Sequence, residues 1–69
     1  MIFVEAVIVG YKDGKPVYWK RGFADSSETK PIGDDAADIC DGSQITESNT
    51  GALFYYNAKT DSWINPSAE

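Results

Sequence analysis

The sequence has no histidine, one cysteine, and six basic residues against eleven acidic ones. The missing histidine and the lone Cys40 exclude the usual nucleophilic triads and the common zinc sites, because these need His or several Cys side chains. A single thiol forms no disulfide within the chain. The net charge of −5 argues against a basic surface for nucleic acid or for an anionic membrane. We therefore expect no enzyme activity, no catalytic residue, no cofactor and no metal.

Long apolar runs are also missing. The apolar stretch at residues 1–9 contains Glu5 and has no basic leader, so we expect neither a signal peptide nor a membrane span. With 69 residues, the chain is expected to form one small domain over residues 1–66 and a frayed tail over 67–69. A domain of this size buries only about 60% of the surface of its unfolded chain. Self-association or docking on a larger assembly is therefore expected to complete its stability.

β-branched and aromatic residues are concentrated in the first third, at residues 3–11 and 17–23. Between them lies Asp13-Gly14, a dipeptide typical of a two-residue hairpin turn. A regular register from that turn places Ile8 opposite Trp19 and Val4 opposite Phe23. Both faces of the hairpin carry apolar residues, so the second face is expected to meet another element or another chain.

The last third predicts three further strands, at residues 44–47, 52–56 and 62–64, separated by turn-forming residues. The expected fold is mainly all-β, either a small antiparallel sheet or an open barrel of about five short strands. An N-terminal hairpin and a C-terminal meander would be joined by an acidic loop over residues 24–42. That loop is expected to hold at most one short helical turn, over residues 34–40, with Asp34 as its N-cap.

The acidic loop contains four closely spaced carboxylates that a partner or a cation would meet, namely Asp34, Asp35, Asp38 and Asp41. Their spacing fits no EF-hand loop, which needs a Gly at its sixth position and a Glu at its twelfth. A solvated acidic loop is the preferred interpretation. Contact with a basic surface on a larger partner is the alternative.

Aromatic residues are the most informative class in the predicted strands. Alternation directs Trp19, Phe54 and Trp63 to a common core face. Neighbouring residues on a strand point to opposite faces, so Tyr55 and Tyr56 cannot both be in the core. Because Tyr and Trp are enriched at contact surfaces, the candidate interface residues are Tyr18, Trp19, Tyr55, Tyr56 and Trp63. Cys40 has no His to activate it and is interpreted as a small buried side chain.

Several short motifs occur in order along most of the chain: Thr29-Lys30-Pro31, Gly42-Ser43, Glu47 followed by Thr50-Gly51, the strand Leu53-Phe54-Tyr55-Tyr56, and Trp63. In this order the chain resembles the very small proteins encoded in the structural gene cassettes of tailed bacteriophages and prophages. Two features depart from that pattern. Asn49 stands before Thr50-Gly51 where an Asp is expected, and residues 32–41 are longer and more acidic than the usual link.

The resemblance implies a non-enzymatic structural protein that is made in the host cytoplasm and resides in the virion. A head fibre, a decoration protein and a head or tail junction component all fit. The expected partners are further copies of the chain, phage capsid proteins or phage tail proteins, and a trimer is suggested by analogy with fibre and decoration proteins. Neither nucleic acid nor membrane is an expected partner.

Two other functions stay open from the residues alone. A carbohydrate- or ligand-binding module would use exposed Tyr and Trp rings. A phage-encoded acidic inhibitor would use the carboxylates against a basic host protein.

Overall fold

The structure is a computed structural model that describes residues 1–66. The predicted fold class is confirmed, because these residues form a mainly-β, open, five-stranded sheet with a single 3-10 turn. The predicted frayed tail at 67–69 lies outside the described residues. The elements, in chain order, are β1 (Ile2–Lys12), β2 (Lys15–Ala24), the 3-10 turn (Gly33–Ala36), β3 (Gln44–Glu47), β4 (Leu53–Asn57) and β5 (Ser62–Ile64). The strands lie side by side in the order β1-β2-β3-β4-β5.

The hairpin of β1 and β2 turns at the predicted dipeptide. Asp13 and Gly14 have φ angles of 52° and 79°, the positive values that a type I′ turn needs at both central positions. Asp tolerates this region and Gly enters it without a steric penalty. Lys12 pairs with Lys15, as the turn chemistry predicts.

Beyond the turn, the predicted register is wrong. Ile8 pairs with Tyr18 and Val7 with Trp19, and Ile2, not Val4, lies opposite Phe23. The register shifts twice along β1, between Ile8 and Gly10 and between Phe3 and Glu5. Each shift adds one β1 residue that has no partner on β2, which is the definition of a β-bulge. A register extrapolated from the turn fails at the first bulge.

The pairing of β2 with β3 is parallel, whereas every other pair in the described sheet is antiparallel. A parallel pair requires a crossover of a dozen or more residues, and residues 25–43 supply it. This segment is the acidic loop of the sequence analysis. It passes over one face of the sheet and returns the chain to the other side of β2, where Arg21 pairs with Gln44.

Contacts far apart in sequence hold the crossover in place. The Nε1 atom of Trp63 donates a hydrogen bond to the carbonyl oxygen of Pro31 at 2.7 Å. The backbone N–H of Tyr18 donates to Asp38, and that of Cys40 donates to Tyr18, each at 2.7 Å. The 3-10 turn begins at Gly33, and Ile32 at its N-cap makes no side-chain cap, so the prediction of Asp34 as N-cap is wrong.

The core is small and lies under the crossover. Ala36, Ile39 and Tyr56 form its buried cluster, and Phe3 and Trp63 pack against it from the two ends of the sheet. The rings of Tyr56 and Trp63 are 5.1 Å apart at a tilted angle, a favourable aromatic geometry. The sheet therefore has one covered face and one open face.

Candidate protein interaction surface

β1 is an edge strand, because β2 is its only neighbour in the described sheet. Six of its large apolar side chains are between 48% and 71% exposed, namely Ile2, Val4, Val7, Ile8, Val9 and Tyr11. Scattered apolar side chains are normal on a protein surface, but a concentration of them on one edge strand is typical of an interaction site. We call these six residues the β1 apolar surface.

The β1 apolar surface lies on both faces of the hairpin. Side chains of directly paired residues share a face, so Ile8 lies on the side of Tyr18 and Val7 on the side of Trp19. Neighbouring residues on β2 point to opposite faces. The crossover covers part of one face only. Because only one face of the sheet is covered, and only in part, apolar β1 side chains remain in contact with water.

The open face continues the apolar surface across the sheet. Phe23 and Ile64 on this face are 41% and 45% exposed. Ile64 pairs with Tyr55, and Leu53 pairs with Thr46. Because neighbouring residues on a strand point to opposite faces, these side chains lie on the face of the sheet away from the buried Ile45 and Tyr56. We use "open face" for the surface formed by Ile2, Val7, Trp19, Phe23, Leu53, Tyr55 and Ile64.

The structure separates the five predicted contact residues. Tyr56 is 6% exposed and belongs to the core, where its hydroxyl donates to Asp61 at 2.7 Å. Trp63 is half-buried and packs against the buried cluster, so both rings contribute to the interior, and a contact role for them stays a prediction. Tyr55 and Trp19 lie on the open face, half-buried. Tyr18 lies on the covered face and is also half-buried.

Trp19 does not share the core face with Phe54 and Trp63, contrary to the alternation argument. Its partner Val7 lies on the open face, and its Nε1 atom donates to the carbonyl oxygen of Gly42 at 3.0 Å. Phe54 pairs with the fully buried Ile45 and keeps the predicted side. Alternation is a property of one strand, so it cannot align residues from three strands whose register is unknown.

The four acidic candidates do not form one cluster of free charge. Asp34 and Asp35 are exposed in the 3-10 turn. Asp38 accepts a salt bridge from Lys20 at 3.0 Å, and Asp41 accepts a hydrogen bond from the backbone N–H of Ala58 at 2.9 Å. Two of the four carboxylates therefore stabilise the chain itself. Cys40 is half-buried, and its Sγ donates to the carbonyl oxygen of Asp41 at 3.1 Å.

Two further carboxylates, which were not among the predicted contact residues, fasten the crossover to the sheet. Glu47 is 8% exposed and accepts a salt bridge from Lys30 at 2.9 Å, a bond that lowers the pKa of Glu47. The Lys30 ammonium also lies 3.9 Å from the centroid of the Phe54 ring. Asp61 accepts a hydrogen bond from the Gly33 backbone N–H, which lowers the pKa of Asp61.

No described group of three or more His, Cys, Asp or Glu side chains in residues 1–66 is placed to hold a metal ion. The helical structure within residues 1–66 lacks the length and apolar character of a membrane-crossing helix. Comparison of the chain with protein-family models, with curated proteins and with solved structures finds no match.

Five of the six residues of the β1 apolar surface are aliphatic, and a preference for Tyr and Trp missed them. Tyr11, which at 71% is the most exposed of the six, was missed as well. The signal was nevertheless present in the sequence. The hairpin pattern has apolar residues on both faces, and a half-exposed antiparallel hairpin alternates apolar with polar residues. Residues 7–9 are three consecutive apolar residues, a pattern that indicates a strand with both faces buried against other structure.

Proposed function

We propose that the chain is a non-enzymatic structural protein of a tailed phage or prophage virion and that it works by protein–protein association. The observation that carries the proposal is the β1 apolar surface at the edge of the sheet. Burying exposed aliphatic side chains is favourable by about 25 cal/mol for each Å² removed from water, so burial of this surface stabilises association. The phage assignment is supported by the resemblance of the turn and aromatic motifs.

Association also compensates for the small core. The buried apolar side chains of residues 1–66 are Ala24, Ala36, Ile39, Ile45 and Tyr56, of which two are alanines. A two-stranded ribbon is marginally stable alone in water, and among the described strands β1 pairs with β2 alone. A partner on the hairpin therefore adds stability where the chain has least, by mass action.

The first test is the solution mass, measured by light scattering and sedimentation over a wide concentration range. Wild type is compared with Ile8→Ser and with the control Ile32→Ser, because Ile8 and Ile32 are 51% and 50% exposed. We expect Ile8→Ser to weaken association and Ile32→Ser, which lies in the crossover, to leave it unchanged. Equal behaviour of both variants would contradict a role for the hairpin.

The second test is mass spectrometry of gradient-purified particles of the encoding phage or induced prophage. The chain is expected in the particles, in a fixed ratio to the major capsid or tail protein. Its confinement to the particle-free lysate, combined with a monomeric solution mass, would refute the proposal.

A carbohydrate-binding module is the second candidate, favoured by an open groove of about 640 Å³ beside Tyr55. Asp41, Asn57 and Lys59 also line the groove. However, oxygens of Asp41 and Asn57 already accept backbone hydrogen bonds from the β4–β5 turn, which leaves fewer acceptors for sugar hydroxyls. Glycan titration of wild type and Tyr55→Ala, followed by tryptophan fluorescence, tests this candidate. A saturable shift that Tyr55→Ala abolishes would favour it.

A further inference from the structure

We propose that two copies of the chain pair through their β1 edges, antiparallel, about a two-fold axis at Ile8, so that the two sheets become one. This inference rests on the proposed function, since it names the partner of the β1 apolar surface. Three features of the described residues support it: the direction of the β1 backbone groups, the charge pattern of β1, and the exposure of both of its faces.

The backbone of β1 presents hydrogen-bonding groups to its open side. Tyr18 uses both its N–H and its carbonyl oxygen on the side of β2 away from β1, with Asp38 and Cys40. Its partner on β1 is Ile8, so this is a non-hydrogen-bonded pair of the antiparallel ladder. In such a pair both residues direct their N–H and carbonyl groups outward, and for Ile8 outward is the free edge. Another strand is the natural acceptor and donor for these groups.

Ala6, two residues before Ile8 on β1, presents its backbone groups in the same way. The backbone N–H of Lys20 donates to the Ser43 side chain at 3.0 Å, again on the side away from β1. Ala6, the partner of Lys20, therefore also directs its backbone groups to the edge. The open edge at Ala6 and Ile8 contains no proline and no charged residue. Bulges, which are among the devices that prevent edge pairing, lie outside this stretch, at Val4 and Val9.

The charges of β1 are self-complementary. Its charged residues are Lys12 and Glu5, whose carboxylate also accepts a salt bridge from Arg21 of the same copy at 3.1 Å. Their β2 partners, Arg21 and Lys15, are each three residues from Tyr18, so Glu5 and Lys12 lie equally far from Ile8 along the ladder. Val9, the bulged residue, has no partner on β2 and so adds no position to the ladder between Ile8 and Lys12.

An antiparallel two-fold pair centred on Ile8 therefore places Glu5 of each copy opposite Lys12 of the other. Both side chains lie on the open face, because the ladder positions of Arg21 and Lys15 are an even number apart. The pair also sets Ala6 opposite Tyr11 and Val7 opposite Gly10. Parallel pairing would set Glu5 beside Glu5, and like charges directly opposite each other destabilise a sheet.

A second copy at this edge also accounts for exposure on both faces of β1. Packing of another molecule on the open face alone would leave Ile8 and Tyr11 in water. Edge pairing gives side chains on each face a cross-strand neighbour, which is the unit of sheet stabilisation. The pair leaves both open faces on the same side of the joined sheet, as a larger apolar surface for a virion partner.

Disulfide trapping tests the axis. Ile8→Cys is made in a Cys40→Ser background, and the control is Val7→Cys in the same background, because Val7 is 48% and Ile8 51% exposed. Directly opposed residues have Cα atoms about 5.5 Å apart, within disulfide reach, whereas two copies of Val7 are displaced along the strands beyond about 7 Å. We expect covalent dimer from Ile8→Cys under mild oxidation and little from Val7→Cys.

Charge reversal tests the register independently, by sedimentation equilibrium. Lys12→Glu sets Glu against Glu at both ends of the pair and is expected to raise the dissociation constant about tenfold or more. The variant that combines Lys12→Glu with Glu5→Lys and Arg21→Glu restores opposite charges between the copies and between positions 5 and 21 of each copy. It is expected to return the dissociation constant to within about threefold of wild type. Lys59→Glu, in the β4–β5 turn, makes the same charge change away from β1 and serves as the control. Circular dichroism confirms that each variant is folded.

The outcomes separate this pairing from the proposed function. If wild type self-associates but Ile8→Cys does not cross-link and Lys12→Glu behaves like Lys59→Glu, the pairing is refuted and association by another surface stands. If wild type is a monomer yet is present in purified particles, the pairing is refuted and the virion role stands. A monomer that is absent from particles refutes both.

Discussion

Replacing Gly22 with alanine tests the close approach of β1 and β2 beside the core. A Cβ atom at Gly22 would lie 2.3 Å from the carbonyl oxygen of Ile2 and 2.9 Å from the Cα of Phe3. Ordinary contacts of this kind are 3.4–4 Å, so the backbone of β1 must move by about 1 Å. Because the obstruction is backbone, no side-chain rotation relieves it. Phe3, which packs against the core, would move with the strand.

Overpacking of this kind costs about 1–3 kcal/mol of the free energy of unfolding. For a domain of 60–100 residues, each kcal/mol corresponds to a melting temperature lower by roughly 4–8 °C. The assay is thermal and urea unfolding followed by circular dichroism, at one fixed protein concentration because association shifts the melting temperature.

Gly10→Ala is the matched control. Gly10 lies in the same hairpin, has no positive φ, and has nothing within 4 Å of the position of an added Cβ. Alanine there is expected to leave stability unchanged or raise it by about 0.4–1 kcal/mol, through lower entropy of the unfolded chain. If Gly22→Ala and Gly10→Ala unfolded within about 0.5 kcal/mol of each other, the steric argument would be refuted.

Three further predictions concern the contacts that hold the crossover. Trp63→Phe removes the donor to Pro31 and is expected to cost about 1 kcal/mol in urea unfolding, a loss that would be absent if water replaced the bond equally well. Burial is the larger and the hydrogen bond to Asp61 the smaller of the two main causes that raise the pKa of Tyr56 to about 12. The protonated phenol therefore stabilises the folded state below pH 10, and this contribution is lost as pH rises from 10 towards 12. The difference in absorbance titration between wild type and Tyr56→Phe should show a one-tyrosine step near 12. The Gly33 N–H is the main cause of the lowered pKa of Asp61. The Asp61 carboxylate therefore stabilises the fold at pH values above its ordinary pKa of 3.8, and this stabilisation is lost as the pH falls through the lower pKa of the folded state. The free energy of unfolding of Asp61→Asn should fall less steeply with acid than that of wild type, and an equal pH dependence would contradict this role.

Much of the local structure follows from local chemistry. The Asp13-Gly14 turn and the pairing of Lys12 with Lys15 need only residues that accept positive φ between two β-favouring runs. The existence of the strands and the brevity of the helical turn follow from β-branched, aromatic, Gly and Pro content. The division of Tyr55 and Tyr56 between two faces follows from the pleat of a strand, although only the structure identifies Tyr56 as the buried one.

The candidate surface was predictable in part. An apolar pattern on both faces of the hairpin indicates a partner, yet the preference for Tyr and Trp selected the buried Tyr56 and the half-buried Trp63, which packs against the core. Aromatic rings bury a large apolar area both inside a small domain and at an interface, so residue type alone does not separate the two roles. Exposure separates them, and exposure depends on what the crossover covers.

Local chemistry accounts for the strands, the hairpin turn, the net acidity and the excess of apolar residues in β1, because each depends on residues close together in the chain. The complete fold adds the parallel pairing of β2 with β3, the covered face and the free edge. These depend on contacts such as Trp63 with Pro31 and Lys30 with Glu47, between residues far apart in sequence. Their partners are chosen by the path of the crossover, and that path is set by the summed energy of the whole chain, which no local pattern contains.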